Sequence, residues 1–233
     1  YNDVLSNLIS EKLHKNWSPE QISNALLNGK LSFKTIYNWI YIGKLKGISF
    51  KNLRNKGKRR KKETRGKFLI GNSITTRPKD VKSRKTFGHW ELDTIVSSRG
   101  KSKACLATFV ERKTRFYVAI KIKDRTASSM LKAIKKLVKV LPKKALKTFT
   151  TDRGKEFACY KEVEKLNIKV YFADAYAAWQ RGSNENSNGL LREYYPKKTD
   201  LGKISNDDLI EKLILLNSRP RKCLNWDNPF NLY

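Results

Sequence analysis

The first residues of the chain repeat apolar positions at helical spacing. Five of them follow the period of one helix face: Val4, Leu5, Leu8, Ile9 and Leu13. Ser18, Pro19 and Gln21 then have the order of a capping box, which predicts the start of a second helix that Asn28 and Gly29 end. We therefore expect a small module of short helices at the amino end of the chain.

The third helix of this module carries the candidate DNA-contacting side chains. Ser32 can cap it, and Ile36, Trp39 and Ile40 form its apolar face. Two short helices joined by a Gly-containing turn are typical of a helix-turn-helix, although a plain three-helix bundle has the same pattern. In the first interpretation, residues 1–46 bind DNA through four polar side chains of this helix: Lys34, Thr35, Tyr37 and Asn38.

From about position 87 the pattern changes to the alternation of strands. Residues 89–96 place Trp90, Leu92, Thr94 and Val96 on one face and Glu91, Asp93 and Ile95 on the other. Further apolar segments predict strands at 104–111, 116–122, 147–151 and 169–173, and helices at 126–140, at 157–166 and from 183 towards 195. This order predicts an α/β domain at 87–233, with a mixed sheet covered by helices on both faces.

Charge adds a partner to this picture. The chain has 51 Lys and Arg against 21 Asp and Glu, a formal net charge of +30, which favours a polyanion such as a nucleic acid as partner. Ten of the cations lie in residues 51–67, inside a segment at 47–86 that we expect to be a basic linker. The centre of this run holds the candidate phosphate contacts: Lys58, Arg59, Arg60, Lys61 and Lys62.

Several other classes of site have no support in the sequence. Cys105, Cys159 and Cys223 are widely spaced and the two histidines are His14 and His89, which disfavours a structural zinc site and a disulfide framework. No apolar run is long enough for a membrane span, and no signal peptide opens the chain. We therefore expect a cytoplasmic protein with neither a membrane nor a small-molecule cofactor as partner.

Three carboxylates stand out as candidates for chemistry. Asp93 lies in the middle of an apolar strand, Asp152 follows another strand, and Glu185 falls in the first turn of a helix. Asp152 can also be a turn cap, and Glu185 can be a favourable charge at a helix amino end. Glu91 and Glu156 are competing carboxylates on the same two segments.

Carboxylates gathered from adjacent strands and a nearby helix repel one another unless a cation lies between them. Hard oxygen ligands favour Mg²⁺ or Mn²⁺, and two such ions can activate an attacking oxygen and stabilise a leaving oxygen. We therefore expect Asp93, Asp152 and Glu185 to form one metal site. The basic surface would bring a phosphodiester to that site.

Short motifs spread over nearly the whole chain carry a family resemblance. They are WSPEQI at 17–22, TIY at 35–37, GHWELDT at 88–94, VERKTR at 110–115, TDRGKEF at 151–157, YFAD at 171–174, WQRGSNEN at 179–186, NGLLR at 188–192 and LNSRPRK at 216–222. With these motifs the chain resembles the insertion-sequence-thirty family of bacterial transposases, members of the Asp-Asp-Glu superfamily. The segment that leads into Glu185 is highly specific.

The resemblance implies a ribonuclease-H-like catalytic domain in which Asp93, Asp152 and Glu185 hold two Mg²⁺ or Mn²⁺ ions and act as the catalytic acids. The 33-residue step from Asp152 to Glu185 fits the family's spacing. The resemblance also implies cleavage at the ends of an insertion sequence, followed by strand transfer into target DNA. Double-stranded DNA in a bacterial cytoplasm is thus the expected partner, with the enzyme as a homo-oligomer on it.

Helical geometry adds supporting residues to the three acids. Asn188 and Arg192 share a helix face with Glu185, and we expect them, together with Arg181, to contact DNA. Asn188 and Arg192 can equally be solvated polar positions. Trp179 can stack on an unpaired base or belong to the core.

The chain departs from the family's usual pattern at two places, and two other classes of function remain as alternatives. Ala175 stands where the family usually has proline, and the family's further amino-terminal helix-turn-helix has no counterpart in these residues. The second departure favours a truncated relative that binds DNA without cutting it. A basic RNA-binding structural protein would explain the charge but not Asp93, Asp152 and Glu185, and the intact acids favour the transposase.

Phosphate contacts by the basic residues predict a steep dependence of DNA affinity on salt. Because each neutralised phosphate releases counterions, affinity should fall on the order of 10³-fold or more between about 50 and 200 mM salt if many phosphates are contacted. Fluorescence anisotropy with a labelled duplex measures this fall. A flat salt response would contradict the phosphate-binding role of the 51–67 run.

Overall fold

The computed structural model of the protein describes residues 3–54, 71–98, 100–174 and 177–233. The contacts divide the chain into two compact units, one with residues up to 63 and 217–233, the other with residues 64–216. This division differs from the expected one, which places 217–233 in the catalytic domain. The functional boundaries at 46 and 86 stay predictions.

The first unit contains the expected short helices. They are α1 (Asp3–His14), α2 (Pro19–Gln21) with a π-helical continuation (Ile22–Leu26), and α3 (Phe33–Tyr41). Their apolar faces and two residues that follow α3, Leu45 and Ile48, meet in one core with these helix residues: Ile9, Leu13, Ile22, Ile36, Trp39 and Ile40. Asn28 and Gly29 both have positive φ, so the second helix ends at the turn that the sequence predicts.

The predicted capping box is confirmed, and the same residue explains why the carboxyl-terminal segment joins this unit. The Ser18 N–H donates to Gln21 Oε1 at 2.8 Å, and the Gln21 N–H donates to Ser18 Oγ at 3.2 Å. The Gln21 side-chain amide also donates to the Pro220 carbonyl at 2.6 Å. Lys222 and Glu20 form an exposed ion pair at 2.7 Å between the same two segments.

The second unit is built on one mixed sheet of six strands. They are β1 (Asn72–Ser73), β2 (His89–Val96), β3 (Cys105–Glu111), β4 (Tyr117–Ile122), β5 (Thr148–Thr151) and β6 (Lys169–Phe172), in the spatial order β1-β6-β5-β2-β3-β4. β2, β3 and β4 are antiparallel neighbours, whereas β5 runs parallel to both β2 and β6. The predicted antiparallel start followed by parallel strands is confirmed.

Helices follow the strands in the expected order. They are α4 (Asp80–Ser83), α5 (Ala127–Val140), α6 (Tyr160–Glu164), α7 (Gly182–Tyr194) and α8 (Asn206–Asn217), while α9 (Pro229–Leu232) belongs to the first unit. The helix predicted at 157–166 is a 3₁₀ turn (Lys155–Cys159) that leads into the shorter α6. The pattern did not predict α4, α8 or α9.

The two faces of the sheet each carry a core, as the alternation along β2 predicts. Trp90 and Leu92 pack with residues of α5 and α6, whereas Ile95 packs on the opposite face with Leu190 and Leu191 of α7. Glu91 and Asp93 have the same parity as Ile95 and therefore point to the α7 side. The arrangement is the ribonuclease-H-like α/β fold.

The strand β1 lies in the segment that the sequence assigns to the linker. It pairs parallel with β6, with Asn72 opposite Tyr171. Gly71 precedes it with φ +64°, and a Cβ at Gly71 would collide with the ring of Phe172. A two-residue strand has no periodicity to detect, so only its pairing partner reveals it.

No helix in the described part of the chain is long and apolar enough to cross a membrane.

The burial of the cysteines predicts a simple labelling pattern. Cys105 and Cys159 are buried and Cys223 is exposed. Burial raises the pKa of the Cys159 thiol to about 11, so this thiol is protonated at neutral pH and a weak nucleophile. We expect DTNB at pH 8 to titrate one thiol rapidly in the native chain and all three after denaturation. Rapid labelling that survives Cys223→Ser would contradict this packing.

Candidate active site

Asp93 occupies the centre of β2, opposite Thr108 of β3. Its Oδ1 accepts the main-chain N–H of Thr94 at 2.8 Å. Burial raises the pKa of the Asp93 carboxyl, the Asp152 carboxylate raises it further, and Arg181 acts in the opposite direction. An ionised Asp93 therefore depends on a nearby positive charge.

Asp152 directly follows β5, the parallel neighbour of β2, so the two aspartates come to the same part of the sheet. Arg181 joins them: its Nη1 lies 3.5 Å from Asp93 Oδ2, and its Nη2 lies 3.3 Å from Asp152 Oδ2. The Asp93 and Asp152 side chains keep 26% and 35% of their surface exposed. The structure thus brings two of the three predicted acids to one guanidinium, with an opening to solvent.

Glu185 lies in the first turn of α7, and its side chain is exposed. Asn188, one turn later on the same helix face, donates its side-chain amide to Asp93 Oδ2 at 3.2 Å. Among the described residues, no three His, Cys, Asp or Glu side chains are grouped closely enough to hold a metal ion. The structure therefore places Glu185 on the helix that touches Asp93, without joining it to the aspartate pair.

The two competing carboxylates have buried positions and partners of their own. Glu91 is fully buried and forms an ion pair with Arg112. Glu156 is 1% exposed and accepts from Arg125 Nε at 2.6 Å. Both are thus engaged in ion pairs, whereas Asp93 and Asp152 remain partly open to solvent.

Gly154 allows Glu156 and Asp152 to approach each other. A Cβ at Gly154 would lie 2.5 Å from Glu156 Oε2 and 3.0 Å from Asp152 Oδ1. The Gly154 N–H donates to Asp152 Oδ1 at 2.9 Å. The glycine is required for space, because its φ of −65° is open to any residue.

Tyr117, which sequence reasoning did not single out, orients Asn188. Its hydroxyl donates to Asn188 Oδ1 at 2.7 Å, which turns the amide nitrogen of Asn188 towards Asp93. Tyr117 is buried, and burial raises its pKa well above the usual value, so the hydroxyl stays protonated. Its place at the start of an apolar strand is the ordinary signal of a core aromatic and does not reveal this contact.

Arg192, the predicted phosphate contact at the end of α7, is engaged with the main chain. Its guanidinium donates to the carbonyl of Val96 at 2.7 Å and to the carbonyls of Tyr195 and Pro196 at 3.3 and 3.4 Å. Burial lowers the pKa of Arg192. Arg192 thus connects the end of β2 to the end of α7.

The remaining predicted contacts lie on α3, next to Arg181 in the sequence, or outside the described residues. On α3, Lys34 and Asn38 are exposed, while Thr35 and Tyr37 are half-buried. Trp179 is 77% exposed two positions before Arg181, which argues against a place in the core. Five of the predicted phosphate contacts lie outside the described residues: Lys58, Arg59, Arg60, Lys61 and Lys62. Ala175, where the family usually has proline, also lies outside the described residues.

Comparison with known proteins places this chain in a family. The model of the integrase core domain matches residues 83–178. The chain is 35% identical over 247 residues to the transposase InsI of insertion sequence element IS30A from Escherichia coli, covering 98% of this chain and 64% of that protein. It therefore spans just under two thirds of the length of that curated relative.

Two further relatives are covered more completely. Over 245 residues the chain is 36% identical to the transposase of insertion sequence element IS1086 from Cupriavidus metallidurans, covering 98% of this chain and 72% of that protein. Over 234 residues it is 39% identical to the transposase of IS4351 from Bacteroides fragilis, covering 95% and 70%. The chain belongs to the IS30 family of insertion-sequence transposases.

Proposed function

We propose that this chain catalyses metal-dependent cleavage of DNA at the ends of an insertion sequence and transfer of the cut strand into target DNA. The observation that carries the proposal is the convergence of Asp93 and Asp152 on one positive group, Arg181. Family membership supports it, because the relatives are transposases of insertion sequences. The setting is the DNA of a bacterial cytoplasm.

The residues at this place fit a divalent cation through the chemistry of their donors. Asp93 and Asp152 supply hard carboxylate oxygens that Mg²⁺ and Mn²⁺ prefer. Arg181 acts as a stand-in cation between them, which indicates that the pair requires positive charge. Glu185 is the third ligand in the proposed site, since it shares a helix face with Asn188, which contacts Asp93.

Both steps of the proposed reaction use an oxygen nucleophile at a phosphodiester. Water attacks first and releases a 3′-hydroxyl at the end of the element, and that hydroxyl then attacks a phosphodiester of the target. In each step one P–O bond forms and one breaks, so the same carboxylates serve both. Two metal ions, when bound, would activate the nucleophile and stabilise the leaving oxygen.

In this proposal each unit contributes its own contacts to DNA. The exposed polar side chains of α3, Lys34 and Asn38 among them, supply contacts of the helix-turn-helix type, and the basic run supplies phosphate contacts. Trp179 is exposed two positions before Arg181 and available to stack on a base. A homo-oligomer follows from the need to hold two DNA ends together.

A second candidate function has one observation in its favour. Glu185 does not join Asp93 and Asp152 in a three-carboxylate cluster among the described residues. A relative that binds DNA at the ends of an element without cutting it would need no such cluster. Metal-dependent cleavage of DNA is expected for the first function and not for the second, so an assay for cleavage distinguishes them.

Cleavage and strand joining should depend on a divalent metal and on all three acids. With pre-cut element ends and Mg²⁺ or Mn²⁺, we expect products that EDTA prevents and that Asp93→Asn, Asp152→Asn and Glu185→Gln each abolish. Glu162→Gln, which removes an exposed carboxylate paired with Lys165 at 2.8 Å, is the control and should remain active. Cleavage retained in all three variants would overturn the mechanism, and DNA binding without cleavage by the unmutated chain would support the second function.

Loss of Arg181 should destabilise the fold in a pH-dependent manner. In Arg181→Gln the carboxylates of Asp93 and Asp152 lose the guanidinium that lies within 3.5 Å of both, and with it the interaction that lowers the pKa of Asp93 most. An acid whose pKa is raised by folding destabilises the fold above that pKa and ceases to do so as the pH falls and it is protonated. We expect the free energy of unfolding to drop by roughly 1–2 kcal/mol at pH 8, a value between those typical of exposed and of buried ion pairs. At pH 5 the drop should be smaller.

Urea unfolding at the two pH values measures this difference, with Lys165→Gln as the control for loss of an exposed ion pair. An Arg181→Gln effect that is equal at pH 5 and pH 8 would show that Arg181 does not act through the aspartates.

A further inference from the structure

A fully buried carboxylate, Glu91, links the strand that carries Asp93 to the helix that carries Glu185. Glu91 lies on β2 two positions before Asp93, so both side chains point to the α7 face of the sheet. Its Oε2 accepts the main-chain N–H of Asn184 at 2.9 Å. Asn184 is the residue directly before Glu185, so this hydrogen bond ends one residue from the proposed third ligand.

The first turn of α7 needs such a partner. The first N–H groups of a helix have no acceptor within the helix. The residue at the cap position, Arg181, supplies no side-chain cap, and its guanidinium is turned to the aspartates instead. Glu91 therefore caps α7 from the neighbouring strand, and its negative charge lies at the positive end of the helix dipole.

Arg112 makes the buried charge of Glu91 tolerable. Its Nη1 contacts Glu91 Oε1, and its own side chain is 5% exposed. The Arg112 Nε donates to the carbonyl of Val81 at 3.3 Å, which holds the guanidinium in place. Because a buried charge without a partner is costly, the ion pair fixes the position of the Glu91 carboxylate. Both of its oxygens are engaged, one with Arg112 and one with α7.

We propose that Glu91 is a positioning residue for the metal site: through Asn184 it sets where Glu185 stands relative to Asp93. The inference rests on the proposed function, since it assumes that Glu185 and Asp93 bind the same metal. Asn188 donates to Asp93 one turn further along α7, so the helix is tied to β2 at two successive turns. Removal of the first tie leaves the turn that bears Glu185 without its acceptor.

The chain offers a matched control for this idea in Glu111. It is also fully buried, and it lies on β3 directly opposite Trp90, the neighbour of Glu91. Its carboxylate accepts from the N–H groups of Gly88, Lys113 and Thr114 at 3.1, 2.8 and 2.6 Å. These contacts hold the chain before β2 and the β3–β4 turn, so Glu111 has the burial of Glu91 in a different structural role.

The test compares the affinity for Mn²⁺ of Glu91 and Glu111 variants of the full chain. The affinity is measured by titration calorimetry, at a temperature at which urea unfolding curves show that each variant is folded. We expect Glu91→Gln to weaken Mn²⁺ binding by about 10- to 100-fold, the usual effect of losing a group that orients a metal ligand. Glu111→Gln should destabilise the fold but bind Mn²⁺ within about 2-fold of the unmutated chain.

The variant Glu91→Asp distinguishes an effect of where the carboxylate lies from an effect of its negative charge. It keeps the negative charge, yet it is one methylene too short to reach both Arg112 and the N–H of Asn184. We expect weakened Mn²⁺ binding here too, with Glu111→Asp unaffected, whereas a purely electrostatic effect of Glu91 would leave Glu91→Asp like the unmutated chain. This milder variant also serves if Glu91→Gln does not fold.

Asp93→Asn distinguishes the failure of this inference from the failure of the proposed function. If Asp93→Asn loses Mn²⁺ binding while both Glu91 variants keep it, the positioning role is wrong and the metal site stands. The positioning role is equally wrong if the Glu91 and Glu111 variants weaken Mn²⁺ binding to the same extent. If the unmutated chain binds no Mn²⁺, or Asp93→Asn binds it equally well, both proposals fall.

Discussion

Repulsion between two carboxylates at one place on a sheet is the constraint that the candidate site depends on. β2 and β5 are parallel neighbours, so Asp93 and Asp152 come together as a consequence of strand order. Burial makes the charge of Asp93 harder to keep, as the raised pKa of its carboxyl reflects. A positive group relieves this repulsion while both carboxylates stay ionised, and Arg181 supplies one. The proposed metal ions would meet the same electrostatic need, so the ion pairs of Arg181 lie at the proposed catalytic site.

The placement of α7 on this pair is the second requirement, and directional polar contacts meet it. Glu91 accepts an N–H of the first turn, Asn188 donates to Asp93 one turn later, and Arg192 donates to Val96 at the end of β2. Apolar packing of Leu190 and Leu191 supplies much of the burial but tolerates small rotations and shifts of a helix. Hydrogen bonds lose strength when distance or angle changes, so three of them to a single strand define the height and rotation of α7.

Burial, rather than position in the chain, distinguishes the carboxylates of this unit. Glu91 and Glu156 are almost completely buried and each pairs with an arginine. Asp93 and Asp152 keep an exposed edge, and the side chain of Glu185 is exposed. A buried ion pair is costly to open, whereas a carboxylate at the surface can exchange one cation for another. The first two therefore suit structural roles, and the other three suit ligands.

The amino-acid sequence by itself determined what depends on neighbours along the chain. The alternation of β2, the capping box at Ser18, five of the six strands and the net charge are local or additive properties, and they predicted the fold class and a polyanionic partner. Tertiary structure decided which carboxylate pairs with which cation, and that residues 217–233 pack with the first helices. Glu91 and Asn184 are 93 positions apart, and β1 is recognisable only beside β6. Such contacts follow from how strands and helices pack in space, and no periodicity within either segment encodes them.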